Sequence, residues 1–116
     1  ERAPGWNGSR SETSDTAMLD HFGFGVGDYE RAKAFYAQAL APLGYVLVME
    51  ATAEQTESGY PACGFGRDGQ PDFWIGGEGP TVPPLHVAIT ARTRAEVDAF
   101  HREALAAGAR DHGAPG

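Results

Sequence analysis

The amino-acid sequence predicts an α+β fold made of two βαβββ units, and three observations support this prediction. Placing His21 on His86, an offset of 65 residues, aligns residues 21–41 with residues 86–106 and gives six identities in 21 positions. Both stretches show a short apolar strand that opens on histidine, a capped amphipathic helix and a glycine stop. Residues 77–84, rich in glycine and proline, separate the two stretches as a linker. Because self-similarity at a fixed spacing indicates repeated structural units, we infer two copies of one unit.

The first unit is expected over residues 18–76, and its first strand over residues 18–26. Alternation along this strand puts Phe22 and Phe24 on one face, which we expect to pack under a helix. The other face carries His21 beside glycines, which have no side chain. The sequence therefore predicts open volume next to the histidine, as on the floor of a cavity.

The rest of the first unit follows from local signals. Asp28 is a suitable N-cap for an amphipathic helix that ends at Gly44. An apolar strand is predicted over residues 45–50. Residues 62–66 and 72–76 then predict a hairpin joined by a short polar turn. The first unit is therefore predicted to run β-α-β-β-β.

The second unit is expected to begin at residue 85, with a strand over residues 85–91 that repeats the first strand. Thr93 and Glu96 have the spacing of a capping box that opens the second helix, and Gly108 ends that helix. The sequence of this unit, residues 85–116, shows no pattern for its last three strands. We expect those strands to come from a chain end beyond this sequence or from another chain.

Composition narrows the classes of partner. The formal net charge is −7, which disfavours nucleic acid and anionic membranes as partners. Cys63 is the single cysteine and lies in an apolar run, so we expect a buried structural thiol and a cytoplasmic protein. Residues 1–17 are polar and without periodicity, and predict a disordered leader or a cloning remnant before one domain at 18–116.

Three stretches together resemble the vicinal oxygen chelate superfamily, the group of glyoxalases, bleomycin-resistance proteins and extradiol dioxygenases. They are residues 19–45, 65–75 and 85–116. The likeness is greatest to small glyoxalase-like bacterial proteins. It implies paired βαβββ units that form a concave mixed sheet with helices on its outer face, and a metal and substrate enclosed between the units.

The resemblance also implies metal ligands on the first and last strands of each unit. His21 and His86 match the two first-strand positions, and Trp74 stands where the family often has a carboxylate. The implied cofactor is a divalent transition metal such as Zn, Ni, Fe, Mn or Co, which two imidazoles and a carboxylate suit. The alternative is that both histidines are polar residues that line a cavity, each with a backbone or water partner.

Three residues are candidates for substrate binding. Trp74 either forms the wall of an aromatic pocket or fills space in the core. Asp72 and Glu50 lie at strand ends, where each is either a third ligand or general base, or an ordinary surface carboxylate. No catalytic residue is assigned from the sequence.

Three functions stay open at this point. The first is a metal-dependent lyase, isomerase or dioxygenase that acts on a small molecule with adjacent oxygens. The second is a metal-free protein that binds and sequesters an aromatic or cationic compound, as bleomycin-resistance proteins do. The third is a purely structural remnant of such a domain. A homodimer is expected, with exchanged strands as one form of it, because open strand edges favour pairing.

Overall fold

The structure is a computed structural model and describes residues 19–115. It is an α+β fold in which a four-stranded mixed sheet carries two helices. The predicted leader at 1–17 and the start of the predicted first strand, Met18, lie outside the described residues. Within the described part of the chain, no helix is long and apolar enough to cross a membrane.

The sheet contains four strands: β1 (Phe22–Gly25), β2 (Val46–Ala51), β3 (Ala62–Arg67) and β4 (Gln70–Gly76). Their order in space is β1-β4-β3-β2. β1 runs parallel to β4, and the other neighbours are antiparallel. With helix α1 (Tyr29–Ala39) between β1 and β2, the elements follow one another as β-α-β-β-β.

Local signals set the ends of α1. The Asp28 side chain accepts a hydrogen bond of 3.1 Å from the backbone N–H of Arg31, which satisfies one of the free donors of the first turn. The α-helix ends before Pro42, and a 3-10 helix over Ala41–Leu43 follows it. Gly44 then takes a left-handed conformation with φ of 81°, which favours glycine.

An aromatic cluster forms the centre of the core. The Phe73 ring is buried, and its centroid lies 5.2 Å from that of Phe22 and 4.9 Å from that of Tyr36. Phe24 and Phe65 complete the cluster. Because Tyr36 belongs to α1, these contacts confirm that the bulky face of β1 packs under a helix.

β3 and β4 form the predicted hairpin. Its turn is Asp68-Gly69, with φ of 54° and 73° respectively, and both values lie in the left-handed region that tight two-residue hairpin turns need. Asp is one of the few residues besides glycine that tolerate this region. The strands extend further toward the turn than predicted, to Arg67 and Gln70.

A β-bulge interrupts this hairpin. Phe65 pairs with Phe73, but the next residue, Gly66, pairs with Pro71, so Asp72 has no partner opposite it. An extra residue of this kind changes the side-chain alternation along its strand. Asp72, which was predicted at a strand end, therefore lies inside β4 at the bulged position.

The predicted strand over residues 85–91 was wrong, because this segment forms no strand and has no sheet partner among the described residues. The strands of the second unit with which it was expected to form a sheet have no pattern in residues 85–116. Residues 79–81, here called the edge strap, run beside the end of β1 on its outer side. The N–H groups of Gly79 and Thr81 donate to the carbonyls of Val26 and Gly25 at 3.1 and 3.3 Å. The Gly25 N–H donates in turn to the Thr81 hydroxyl at 2.8 Å.

The second helix, α2 (Arg94–Ala106), forms as predicted and packs beside α1. Thr93 caps it by accepting a hydrogen bond of 3.1 Å from the Glu96 N–H. The capping box is only half formed, because the Glu96 carboxylate accepts from the N–H of Arg92 at 2.9 Å. Gly108 follows the helix with φ of 115°, in agreement with the predicted stop.

β2 forms the other edge of the sheet and pairs only with β3 among the described strands. Leu47 pairs with Phe65 and Met49 with Gly64, so Val48 is a second bulged residue. Val46 and Met49, which lie on either side of this bulge, are 59% and 52% exposed.

Candidate functional site

A cavity of about 680 Å³ lies between β1, the two helices and the segment that follows the edge strap. We call it the large cavity. Five aromatic side chains line it: Phe24, Phe35, Tyr36, Phe73 and Phe100. Its volume falls in the range of about 300 to 1,000 Å³ that is typical of small-molecule sites, which are mostly apolar.

The segment that was predicted as a strand forms the outer wall of the large cavity. Leu85, Val87 and Ile89 line the cavity. Leu85 and Val87 remain 54% and 38% exposed, whereas Ile89 packs against the core. The apolar alternation of Leu85, Val87 and Ile89 therefore marks the side that lines the cavity, and of these three residues only Ile89 packs against the core.

The polar part of the large cavity comes from α2 and from the chain that follows it. His101, Arg110 and His112 contribute to its lining. His101 is half-buried, and its Nε2 lies 3.0 Å from the Gly113 carbonyl oxygen and 3.8 Å from Asp111 Oδ1. These residues were assigned no function from the sequence, because the fold of residues 109–113 back toward α2 has no local sequence signal.

A second cavity, of about 220 Å³, lies beside the start of β1, and we call it the small cavity. It shares Phe73 and Ile89 with the large cavity, so these two side chains separate the cavities. His21 and Asp72, two of the predicted site residues, both line it. The structure therefore brings together one predicted metal ligand and one predicted substrate-binding carboxylate.

Asp72 is the most unusual polar group of the small cavity. Its Oδ2 accepts a hydrogen bond of 2.9 Å from the Tyr45 hydroxyl. Its Oδ1 is buried and has no hydrogen-bond partner among the described residues. Burial, with the hydrogen bond to Asp72 second, raises the pKa of Tyr45 to about 12, so the hydroxyl keeps its proton at neutral pH.

Arg67 and His21, which line the small cavity with Asp72, have other partners. Arg67 donates from Nε to the Leu43 carbonyl at 2.8 Å, and its guanidinium carbon lies 5.1 Å from the centre of the Tyr45 ring. His21 is exposed, and its Nδ1 lies 2.9 Å from Asp20 Oδ2. The small cavity therefore has two carboxylates and one guanidinium around it.

The predicted metal ligands do not form a complete donor set. His86 is exposed and lines neither cavity, whereas His21, also exposed, lines the small cavity. Across residues 19–115, no group of three or more His, Cys, Asp or Glu side chains is placed to hold a metal ion. The described residues alone therefore do not fit a metal centre of the kind that the resemblance implies.

Trp74 lies on the face of the sheet that the helices leave uncovered. It pairs with Gly23 on one side and Gly64 on the other. A Cβ atom added at Gly64 would lie 2.8 Å from Cε2 of the indole, so the ring rests on the glycine backbone. The predicted alternation is confirmed here, because Phe73 and Ile75 are buried in the core on the opposite face.

Glu50, the last of the predicted substrate-binding residues, takes part in a network with α1. Its Oε2 accepts from the Tyr29 hydroxyl at 2.8 Å and from Lys33 Nζ at 2.7 Å. The hydrogen bond from Lys33, followed by that from Tyr29, lowers the pKa of Glu50. Glu50 lines neither cavity, and we assign it to the attachment of β2 to the helix.

Cys63 is fully buried next to this network, as expected for a structural thiol. Burial raises its pKa, so the thiol stays protonated and is a poor nucleophile. Burial of the Tyr29 hydroxyl likewise raises the pKa of Tyr29.

Comparison with known proteins does not assign the chain to a family. No protein-family model matches the chain, and no curated protein matches it either.

Proposed function

We propose that this protein binds a small, largely apolar ligand in the large cavity and that this binding needs no metal. The observation that carries the proposal is a cavity of about 680 Å³ with five aromatic side chains in its wall. Removal of apolar ligand surface from water contributes roughly 25 cal/mol per Å². Aromatic walls add preferred edge and stacking contacts for a ring.

The charge of the protein limits the class of ligand. With a net charge of −7, the chain repels anions at long range and favours neutral or cationic compounds. The polar side chains His101, Arg110 and His112 in the lining offer hydrogen bonds to a polar end of the ligand. This arrangement supports the metal-free binding function that the sequence left open.

A neutral fluorescent probe, N-phenyl-1-naphthylamine, tests the proposal by titration at neutral pH. Ala104 is buried and lines the large cavity, so Ala104→Phe fills it from α2. Val87→Trp fills it from the exposed outer wall at lower risk to folding. We expect each variant to weaken probe binding at least tenfold.

Ala95→Phe is the matched control, because Ala95 is exposed on α2 and does not line the cavity. It should bind the probe as the native protein does. Failure of the native protein to bind the probe, or equal binding by both filled variants, would refute the proposal.

A metal-dependent enzyme of the vicinal oxygen chelate type is our second proposal. Its support is that His21, next to the first strand, and Asp72, on the last strand of the unit, line one small cavity. Such an enzyme would act on a small molecule with adjacent oxygens as a lyase, isomerase or dioxygenase. Further metal ligands would have to come from beyond the described residues.

Elemental analysis of protein purified without chelator tests this second proposal. We expect near-stoichiometric Zn, Ni, Fe, Mn or Co that is lost in a His21→Ala, His86→Ala double variant. Native protein without metal, whose melting temperature added metal leaves unchanged, would count against it.

We propose in addition that βαβββ units pair between two copies of the chain. The support is the uncovered sheet face, where Val46 and Met49 are exposed beside the half-buried Trp74. Sedimentation equilibrium measures the oligomeric state, and a Met49→Glu variant should shift a dimer toward the monomer. A monomeric native protein at high concentration would contradict the pairing.

A further inference from the structure

We propose that the ligand of the large cavity is an uncharged aromatic carbonyl compound whose carbonyl oxygen accepts a hydrogen bond from the Tyr36 hydroxyl. This inference rests on the proposed function, because it names the class of ligand that the same cavity takes. It adds Tyr36 as the residue that selects this class.

The first step of the argument concerns the hydroxyl group of Tyr36. The side chain is half-buried and lines the large cavity. Its hydroxyl has no hydrogen-bond partner among the described residues, but the oxygen is not fully buried. Burial raises the pKa of Tyr36, so the hydroxyl keeps its proton at neutral pH and is available as a donor. A ligand that brings an acceptor to this group can therefore form a hydrogen bond that the protein leaves open.

The second step compares Tyr36 with two other tyrosines of the fold. The hydroxyls of Tyr29 and Tyr45 donate to carboxylates at 2.8 and 2.9 Å. The Tyr36 hydroxyl has no such partner, although its ring is packed in the core with its centroid 4.9 Å from that of Phe73. This packing needs the ring alone, and phenylalanine would supply it equally well. Because buried tyrosine hydroxyls usually have a partner, the open one indicates a contact with a ligand.

The third step concerns charge. Among the described residues that line the large cavity, Arg110 is the one Asp, Glu, Lys or Arg. Asp111 lies outside the lining, with its Oδ1 3.8 Å from His101 Nε2. A cationic ligand would therefore meet a like charge and no carboxylate in the wall. Arg110 would attract an anion, but its side chain is exposed, which weakens the attraction, and the net charge of −7 opposes it. These constraints narrow the neutral or cationic ligands of the proposed function to neutral ones.

The fourth step concerns the polar group of the ligand. None of the described residues that line the large cavity is Asp, Glu, Asn or Gln. The Thr81 hydroxyl already accepts from the Gly25 N–H at 2.8 Å, and His101 Nε2 lies 3.0 Å from the Gly113 carbonyl oxygen. A hydroxyl or N–H group on the ligand would therefore lose its hydration with few acceptors in return. A carbonyl oxygen only accepts, so it suits the Tyr36 hydroxyl without this penalty.

2-Acetonaphthone is the probe for this inference, and displacement of N-phenyl-1-naphthylamine from the large cavity measures its affinity. 2-Isopropenylnaphthalene is the comparison ligand, because it has the same shape with a carbon atom in place of the carbonyl oxygen. Tyr36→Phe removes the hydroxyl and keeps the ring. We expect this variant to bind 2-acetonaphthone at least threefold more weakly, and to bind the comparison ligand and the naphthylamine as the native protein does.

Tyr60→Phe is the matched control, because Tyr60 is exposed and does not line the cavity. It should bind both ligands as the native protein does. The infrared band of the ligand carbonyl adds a readout that a change in packing alone would not move. With the native protein, this band should lie at lower frequency than in an alkane solvent, and it should return toward that position in Tyr36→Phe. If Tyr36→Phe fails to fold, a band at the alkane position in the native protein would overturn the proposal.

Two charged analogues, 2-naphthoate and 2-naphthylmethylamine, test the preference for an uncharged ligand. Each should bind at least tenfold more weakly than 2-acetonaphthone, and binding of either one as tight as that of the ketone would overturn this preference. Equal effects of Tyr36→Phe on 2-acetonaphthone and 2-isopropenylnaphthalene would overturn the role of the hydroxyl. In both cases the native protein still binds the naphthylamine, so the proposed function stands. Native protein that does not bind the naphthylamine would refute both.

Discussion

Replacement of Phe73 by alanine tests the packing on which both cavities depend. The Phe73 side chain is 3% exposed, and its ring centroid lies between 4.9 and 6.3 Å from the centroids of four other rings. Truncation of a buried phenylalanine to alanine costs about 3 to 5 kcal/mol. A domain of this size has a total stability of about 5 to 15 kcal/mol, so the variant should lose a fifth or more of it.

Urea denaturation followed by far-ultraviolet circular dichroism measures this loss. With a slope of about 1 to 3 kcal/mol per molar urea, the midpoint should fall by at least about 1 M. Tyr60→Ala is the control, because Tyr60 is an aromatic residue that is 47% exposed, and its loss should change stability by about 0.5 kcal/mol or less. A loss below about 1 kcal/mol for Phe73→Ala would refute the central position of this ring.

Three further changes test local structure. Gly64→Ala puts a methyl group 2.8 Å from Cε2 of Trp74, so the indole must move off the sheet and its fluorescence maximum should shift to the red. Thr93→Ala removes the cap of α2 and should lower the free energy of unfolding by about 1 kcal/mol in urea denaturation. The pKa of Glu50 is lowered in the folded protein, chiefly by Lys33, so its contribution to stability is complete above the ordinary value of 4.5 and is lost as pH falls below it. The Glu50→Gln variant has no carboxylate to protonate at this position, so its stability should fall less than that of the native protein between pH 7 and pH 3. Thermal unfolding at a series of pH values measures this difference.

Each of these changes has its own control. Emission of a Trp74→Phe variant isolates the signal of Trp74, and an unchanged difference spectrum for Gly64→Ala would contradict the contact. Thr90→Ala, at an exposed position outside the helices, should leave stability unchanged, and an equal loss at both threonines would remove the capping argument. Glu57→Gln changes an exposed loop carboxylate, and its acid profile should match that of the native protein.

Most of the first unit was predictable because its signals are local. Asp28 and Thr93 cap the helices that they were expected to cap, and Asp68-Gly69 makes the hairpin turn. Gly44 and Gly108 take the left-handed conformations that end each helix segment. In all these cases, the deciding contacts lie within four residues along the chain.

Residues 85–91 were placed wrongly because sheet membership is not a local property. The alternation of Val87 and Ile89 distinguishes the two sides of the segment, but it does not say what either side contacts. The strands expected to pair with this segment belong to the last part of the second unit, for which residues 85–116 show no pattern. Without a partner strand, the segment lines the large cavity and joins no sheet.

The candidate site was predictable only in part for the same reason. The orientation of Trp74 followed from the period of two, because no bulge lies between it and the buried Phe73 and Ile75. The position of Asp72 depends on the bulge, which has no sequence signature here. The proximity of His21 to Asp72 depends on the parallel pairing of β1 with β4, which joins residues about 50 positions apart.

The bulge at Val48 bears on how the chain behaves at high concentration. Backbone groups along an unpaired outer strand can template a further strand from another molecule, which is the first step toward fibrous aggregates. On the β1 side, residues 79–81 already use the outward N–H and carbonyl of Gly25 and the carbonyl of Val26. On the β2 side, the extra residue breaks the regular spacing of donors and acceptors, so an incoming strand can match only a few of them at once. Each border of the sheet therefore offers fewer regularly spaced backbone groups to another molecule, for a different reason at each.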